Sequence, residues 1–307
     1  MASFAESFRT WRRGFKARLP YVRRREHRVL QRKYAELIEA LDQQATPAAA
    51  AKLHTAKPLQ QGLPGEVCLF VSFADEPRLK PHAAEHIRHL LDAGIRVVLI
   101  VNTDIPADRL EIDRALQDRL SGVLIRENTG FDFGAWAHGL ALCEDTSRWS
   151  RLFLVNDSIV GPLDAGDFER MLARVRSSAA DVVGLTESLA PLRHLQSYFL
   201  VFNATALRHE AVRRLFARML NWPAKSQVID IHESRLTALL RAEGLRCEAL
   251  FPALSSDPLS SDDTSLRWAQ LVRAGFPYLK TRVIAAHPRD PQINAWLSAR
   301  PGATHPK

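Results

Sequence analysis

The chain has 307 residues, 46% hydrophobic and 25% charged, a balance that buries a sizeable core and excludes a disordered protein. Three widely spaced cysteines, Cys68, Cys143 and Cys247, fit reduced core thiols better than a disulfide frame or a zinc site. No run approaches the roughly twenty apolar residues of a spanning helix. Residues 1–13 also lack the apolar stretch of a secretory signal, so a cytoplasmic location is expected.

The formal net charge of +8 is concentrated at one end. Residues 1–34 carry eleven Lys/Arg against Glu6 and Glu26, so the remainder is close to neutral. Phe4, Phe8, Trp11 and Phe15 recur at helical spacing within this basic stretch, and a second helix is predicted from Arg25 to Gln44. Residues 1–45 therefore read as a basic amphipathic arm. Such a helix can lie on an anionic membrane surface, which would make the protein peripheral on the inner face of the cytoplasmic membrane. Packing on its own domain and RNA binding are the competing readings. Nucleic acid ranks last, because no recognition module or basic surface follows.

Residues 46–65, rich in Ala, Pro and Gln without periodicity, read as a linker. From Glu66 strands and helices alternate. Strands are predicted at Val67–Phe73, Arg96–Val101, Val123–Ile125, Leu152–Val155 and Val182–Leu185. Helices are predicted at 81–93, 106–119, 134–143 and 165–176 between them. This rhythm implies a mostly parallel sheet covered by helices on both faces. Beyond Glu187 the pattern predicts a strand at 197–202, helices at 205–220 and 231–243, a strand at 247–251, a loop at 254–263 and a helix at 265–273. The domain is expected to span 66–290, with a tail at 291–307.

Two segments at strand ends are the most informative. Glu127-Asn128-Thr129-Gly130-Phe131-Asp132-Phe133-Gly134 follows the third strand, and Asn156-Asp157-Ser158 follows the fourth. Open α/β sheets bind ligands beyond the carboxyl ends of their strands. Asn128 and Asp132 offer directional acceptors, Gly130 and Gly134 allow close backbone approach, and Asp157 can meet a divalent cation. A phosphorylated, sugar-bearing ligand suits that set.

The segments Gly130 to Gly134, Val155-Asn156-Asp157-Ser158-Ile159-Val160-Gly161-Pro162 and His194-Leu195-Gln196-Ser197-Tyr198-Phe199-Leu200-Val201-Phe202 resemble the rhamnan synthesis protein F family. The likeness continues in Glu233-Ser234-Arg235-Leu236-Thr237 and Gly275-Phe276-Pro277-Tyr278-Leu279-Lys280, over roughly Val67 to His287. The resemblance implies a glycosyltransferase with a GT-A-like, Rossmann-like sheet. It would use a nucleotide-sugar donor such as dTDP-rhamnose in making bacterial surface polysaccharide or lipopolysaccharide. Its donor site would include Ser72, Asn102, Asn128, Gly130, Asp132, Asn156 and Asp157, and its glycan or lipid-linked acceptor would meet His194, Gln196 and Ser197. Related enzymes hold a divalent metal with Asp-X-Asp, where this chain has Asn156-Asp157-Ser158 and a single carboxylate. Asp157 still suffices as the metal ligand for Mg²⁺ or Mn²⁺, since such ions keep waters and take substrate phosphates.

Glycosyl transfer needs a stabilised diphosphate leaving group and a base for the acceptor hydroxyl. Glu187, His194 and Glu233 are the candidate bases; Glu233 is favoured and inversion expected. Each residue has a plainer alternative. Asp132 can cap a helix, Asp157 can cap a turn, Gln196 and Ser197 can end a strand, and Glu233 can be a solvated first-turn acid. Trp136 and Trp149 read as core, with Trp136 also a candidate for sugar stacking. A non-catalytic nucleotide-sugar or polysaccharide-binding partner with the same fold is the alternative function.

Overall fold

Val67, Cys68, Leu69, Phe70 and Val71 are buried without alternation, because helices cover both faces of the strand they form. The computed structural model describes residues 45–257 and 262–298; the basic arm, residues 1–44, lies outside them. The main strands are β1 (Leu53–Lys57), β2 (Gly65–Ala74), β3 (Arg96–Thr103), β4 (Gly122–Arg126), β5 (Trp149–Asn156), β6 (Val182–Ser188), β7 (Phe199–Asn203) and β8 (Cys247–Phe251). They are ordered β8-β6-β7-β5-β2-β3-β4-β1 across one sheet. β2, β3, β4, β5, β6 and β8 run one way, while β1 and β7 run against them. The sheet is therefore mixed and mostly parallel.

Helices α1 (Pro81–Asp92), α2 (Arg114–Arg119) and α4 (Ala165–Ser177) cover one face. Ile87, Leu90, Leu116, Met171 and Val175 meet Phe70, Leu99, Phe153 and Val183 there in one core. Helix α3 (Phe131–Ala141) covers the other. A Cβ on its Gly139 would fall 2.6 Å from Ile100, so glycine is what lets this helix lie close to the sheet. Trp136 is fully buried and donates to the Leu69 carbonyl at 3.1 Å, which makes it core and removes it as a sugar platform. Trp149 is core as well, and Cys68 is a fully buried thiol.

Several predicted boundaries move for identifiable reasons. The stretch 46–65 is no linker: β1 pairs antiparallel with β4 and covers a sheet edge, and Thr46–Pro47 pairs with Leu220–Asn221. The expected helix at 106–119 is a short turn, Ala107–Arg109, followed by α2, which starts where the Asp113 side chain accepts from Ala115 N. The expected helix at 205–220 divides into Ala204–Arg208 and α5 (Glu210–Ala217), because the His209 side chain caps the second piece. Part of the expected tail is the helix Pro291–Ser298, whose Ile293 and Leu297 pack on Val160, Leu279, Val283 and Ile284.

Candidate functional site

The chain leaves β2 outward through β3 and β4, then returns to place β5 on the opposite side of β2. That reversal opens a crevice beyond the carboxyl ends of β2 and β5, where open α/β sheets take their ligands. The parallel register, Val71 beside Asn156, brings Ser72 and Phe73 next to Asp157. Asp157 Oδ2 accepts from Ser72 Oγ at 2.8 Å, Phe73 N at 3.1 Å and Lys80 Nζ at 3.0 Å. His82 Nε2 lies 2.9 Å from the Asp157 carbonyl oxygen. Lys80 immediately precedes α1, so this helix brings the cation into the crevice. Asp157 is thus not a turn cap. Asn156 does that work, its Oδ1 accepting from Ser158 N at 3.0 Å and Ser158 Oγ at 2.7 Å.

Asn156 also donates through Nδ2 to Asp132 Oδ2 at 2.7 Å, joining the loop after β4 to the end of β5. Asp132 lies in the first turn of α3 but is not its cap; that position belongs to Gly130, with no side-chain cap bond. Burial and the nearby charge of Asp157 push the Asp132 carboxyl up to about 6, against the opposing pull of Lys225 and the Asn156 bond. Asn102 donates to the Phe131 carbonyl at 3.2 Å, while its Oδ1 is buried without a partner among the described residues. Asn128 is half-buried in the loop between β4 and α3.

Glu233 closes a π-helical turn, Ile229–Glu233, that leads into α6 (Ser234–Ala242); sequence periodicity had it inside a plain α-helix. Turns of this type recur at functional sites. Its Oε1 accepts from Ser197 N at 2.9 Å, and the residue is half-buried rather than a solvated first-turn acid. The Glu233 charge acts on Asp132, Tyr198 and Lys280 alike, so it stands with the carboxylates of the crevice. Next to it, burial lowers the His232 imidazole to about 4, and its ring packs on Phe133 and Trp222.

Glu187 is differently placed. Burial would raise its pKa, but the paired hydrogen bonds from Arg193 at 2.7 and 2.8 Å, with Ala253 N at 3.2 Å, hold it below the usual range. Both its oxygens are engaged, which suits a structural pair better than a base. His194 Nδ1 lies 2.6 Å from the Leu192 carbonyl oxygen. Gln196 Oε1 accepts from Thr186 Oγ1 at 2.6 Å, and Ser197 bonds Glu233 through its backbone. The expected acceptor trio is therefore buried and internally bonded, with its Ser197 end at the crevice.

Gly130 needs correction as a donor-site glycine. A Cβ there would fall 2.3 Å from Asn221 Oδ1 and 2.7 Å from Asn221 Cα, and φ is +70°. Gly134 meets the same Oδ1 at 2.5 Å. What these glycines admit is the Asn221 side chain, not a ligand. Asn221 Oδ1 in turn accepts from Arg126 NH2 at 2.5 Å, and the buried Arg126 also donates to the carbonyls of Ala48, Glu127 and Thr129. This clasp sets the loop that carries Asn128 and Asp132. Gly130→Ala is expected to cost about 2–4 kcal/mol, from αL strain plus overpacking against backbone. The measurement is thermal unfolding; an unchanged Tm would mean that Asn221 can withdraw freely.

The donor set can be weighed against a bound divalent cation. Asp157 Oδ2 already takes three donors, one of them an ammonium, and the Asn156 and Ser158 side chains are committed to Asp132 and to each other. Among the described residues no group of three His, Cys, Asp or Glu could hold a metal ion. As folded, the set does not fit a protein-held cation. Lys80, at 3.0 Å from Asp157 Oδ2, already brings a positive charge to that carboxylate. This lysine carries no strand-end signature in the sequence, and Lys280 ends a family-like segment with nothing local to mark it as a site residue.

The family model described as rhamnan synthesis protein F matches residues 97–298, well over half of the chain. The chain belongs to that family. The match starts within β3, later than the Val67 suggested by the motifs, and runs past His287 through the helix Pro291–Ser298. Among curated proteins, this family member is 28% identical over 195 residues to virulence protein VirA of Vibrio anguillarum, covering 53% of this chain. The matched region spans 62% of that relative's length. Among solved structures, the catalytic domain of Drosophila β1,4-galactosyltransferase 7, in complex with xylobiose, is similar at 10% identity and a TM-score of 0.34. That comparison covers 61% of this chain and 65% of the other, a likeness too slight to carry an argument.

Proposed function

We propose that this chain is a glycosyltransferase that moves a sugar, rhamnose among the candidates, from a nucleotide-sugar donor to a growing bacterial surface polysaccharide or lipopolysaccharide. The observation that carries the reading is the crevice between β2 and β5, where Ser72, Asp157 and Lys80 are bonded together and Asn156 ties in Asp132. Membership in a family named for rhamnan synthesis supports a glycan as the product.

In this reading the donor's diphosphate lies over the crevice and the sugar points toward Glu233. The acceptor hydroxyl attacks the anomeric carbon from the face opposite the diphosphate, giving inversion. The bond from that carbon to the phosphate oxygen breaks with its electron pair remaining on oxygen, and the hydroxyl proton passes to the Glu233 carboxylate. Phe73, 37% exposed at the end of β2 beneath Lys80, offers a face for a base or sugar. Among the described residues no helix is long and apolar enough to cross a membrane, and contact with an anionic membrane would fall to the basic arm.

A calorimetric screen of UDP-, GDP- and dTDP-sugars against the full chain, followed by transfer to a soluble acceptor, tests the proposal. One donor is expected to bind and turn over, and pelleting with anionic vesicles is expected to weaken with salt. Binding without turnover would favour the second reading, a non-catalytic nucleotide-sugar or polysaccharide-binding partner. The lone carboxylate of Asn156-Asp157-Ser158 is the observation behind that alternative.

A further inference from the structure

We infer that Lys80 and Lys280 form the diphosphate subsite, supplying from side chains the positive charge that a divalent cation would otherwise bring to the leaving group. The inference rests on the glycosyltransferase reading and says how that same site takes its donor.

Lys80 is anchored and still accessible. Its ammonium is 3.0 Å from Asp157 Oδ2 and 5.5 Å from the centre of the Phe73 ring, and its side chain remains 33% exposed. An ammonium held in one place by a carboxylate and an aromatic face presents its remaining N–H donors to the crevice. A divalent cation on Asp157 Oδ2 would have to displace it.

Lys280 approaches from the other side of the Asn156-Asp157-Ser158 turn. Leu279–Lys280 pairs antiparallel with Ile159–Val160, and Thr281 N donates to the Ser158 carbonyl at 2.9 Å. The ammonium lies 3.8 Å from the centre of the Tyr198 ring, and the Tyr198 carbonyl accepts from Asn156 N at 3.2 Å. Lys280 makes no ion pair with a carboxylate among the described residues, although Glu233 and Asp262 are close enough to act on it. Burial lowers its pKa to about 8. A half-buried ammonium left with a ring face for company is costly until an anion arrives.

A diphosphate is the ligand class that fits. It presents oxygens on two phosphorus centres, enough to meet cations on both sides of one turn, and lysine is an ordinary phosphate partner. As the bond to the anomeric carbon breaks, charge grows on the departing phosphate oxygen, and fixed ammonium groups stabilise that charge without moving.

The test is calorimetry on the full chain with inorganic pyrophosphate and with nucleoside diphosphates, in chelator and again in excess Mg²⁺ or Mn²⁺. Binding in chelator is expected to lie within about threefold of binding with metal. Lys80→Met and Lys280→Met are each expected to weaken it by about tenfold or more, and Lys280→Arg to retain it. The Lys80 side chain is one-third exposed, so Lys80→Met is expected to keep the fold, which an unchanged Tm verifies. Pyrophosphate binding that requires the metal, or lysine variants that bind like the parent, would overturn the inference and leave the donor reading standing. Nucleoside diphosphates that bind under neither condition would instead remove the donor reading itself.

Discussion

Glu233→Gln is expected to keep donor affinity and to slow transfer by on the order of a hundredfold or more. The substitution is nearly isosteric, and the amide oxygen can still accept from Ser197 N, a bond of 2.9 Å in the parent. What it loses is the capacity to take a proton. A structural Glu233 would give a different result: lower Tm, altered donor binding and little change in the rate per correctly folded molecule. Single-turnover kinetics with saturating donor separates the two, because it reads the chemical step without product release. Should the variant transfer sugar at the parental rate, the base lies elsewhere. Glu187 is the less suitable replacement, since Arg193 engages both its oxygens.

Asp132→Asn is expected to make the protein more stable at neutral pH while weakening donor binding. The folded carboxyl titrates near 6, above its ordinary value of 3.8, first because burial disfavours the charge and next because Asp157 repels it. A raised carboxyl pKa means that the folded state holds the proton more tightly than the unfolded one. Stability therefore declines as pH rises from about 4 through 6, and the full penalty is present above that window. The shift corresponds to about 2–3 kcal/mol as an upper figure. The amide removes the charge and keeps an oxygen for the Asn156 Nδ2 bond, so the gain should be largest at pH 7–8 and small near pH 4. Thermal unfolding of parent and variant across that range gives the difference curve. A flat difference would show that Asp132 is not strained by its charge. Loss of donor affinity by about tenfold alongside the gain is the trade expected when a group is kept for binding rather than for folding.

The alternation of apolar strands and amphipathic helices between Val67 and Phe251 was enough to determine an α/β sheet covered on both faces. Uninterrupted runs such as Val67–Val71 have that meaning only when both sides of a strand are buried. Asp132, Asn156 and Asp157 stood out at strand ends for a related reason, since polar groups follow apolar runs where a sheet meets a crevice. Local pattern could not say which strand ends are neighbours. That depends on the return of the chain to β5 beside β2, a long-range pairing that brings Ser72 to Asp157 across 85 positions. It could not separate a glycine that admits a ligand from one that admits Asn221, because the partner lies 91 positions from Gly130 and reveals itself only in packing. Residues 46–65 looked like a linker because a short edge strand needs a partner edge more than it needs apolar periodicity. Lysines carry the least local signal of all. Lys80 resembles any surface cation in sequence and Lys280 only ends a family-like segment; the tertiary fold alone sets one against Asp157 and the other over Tyr198.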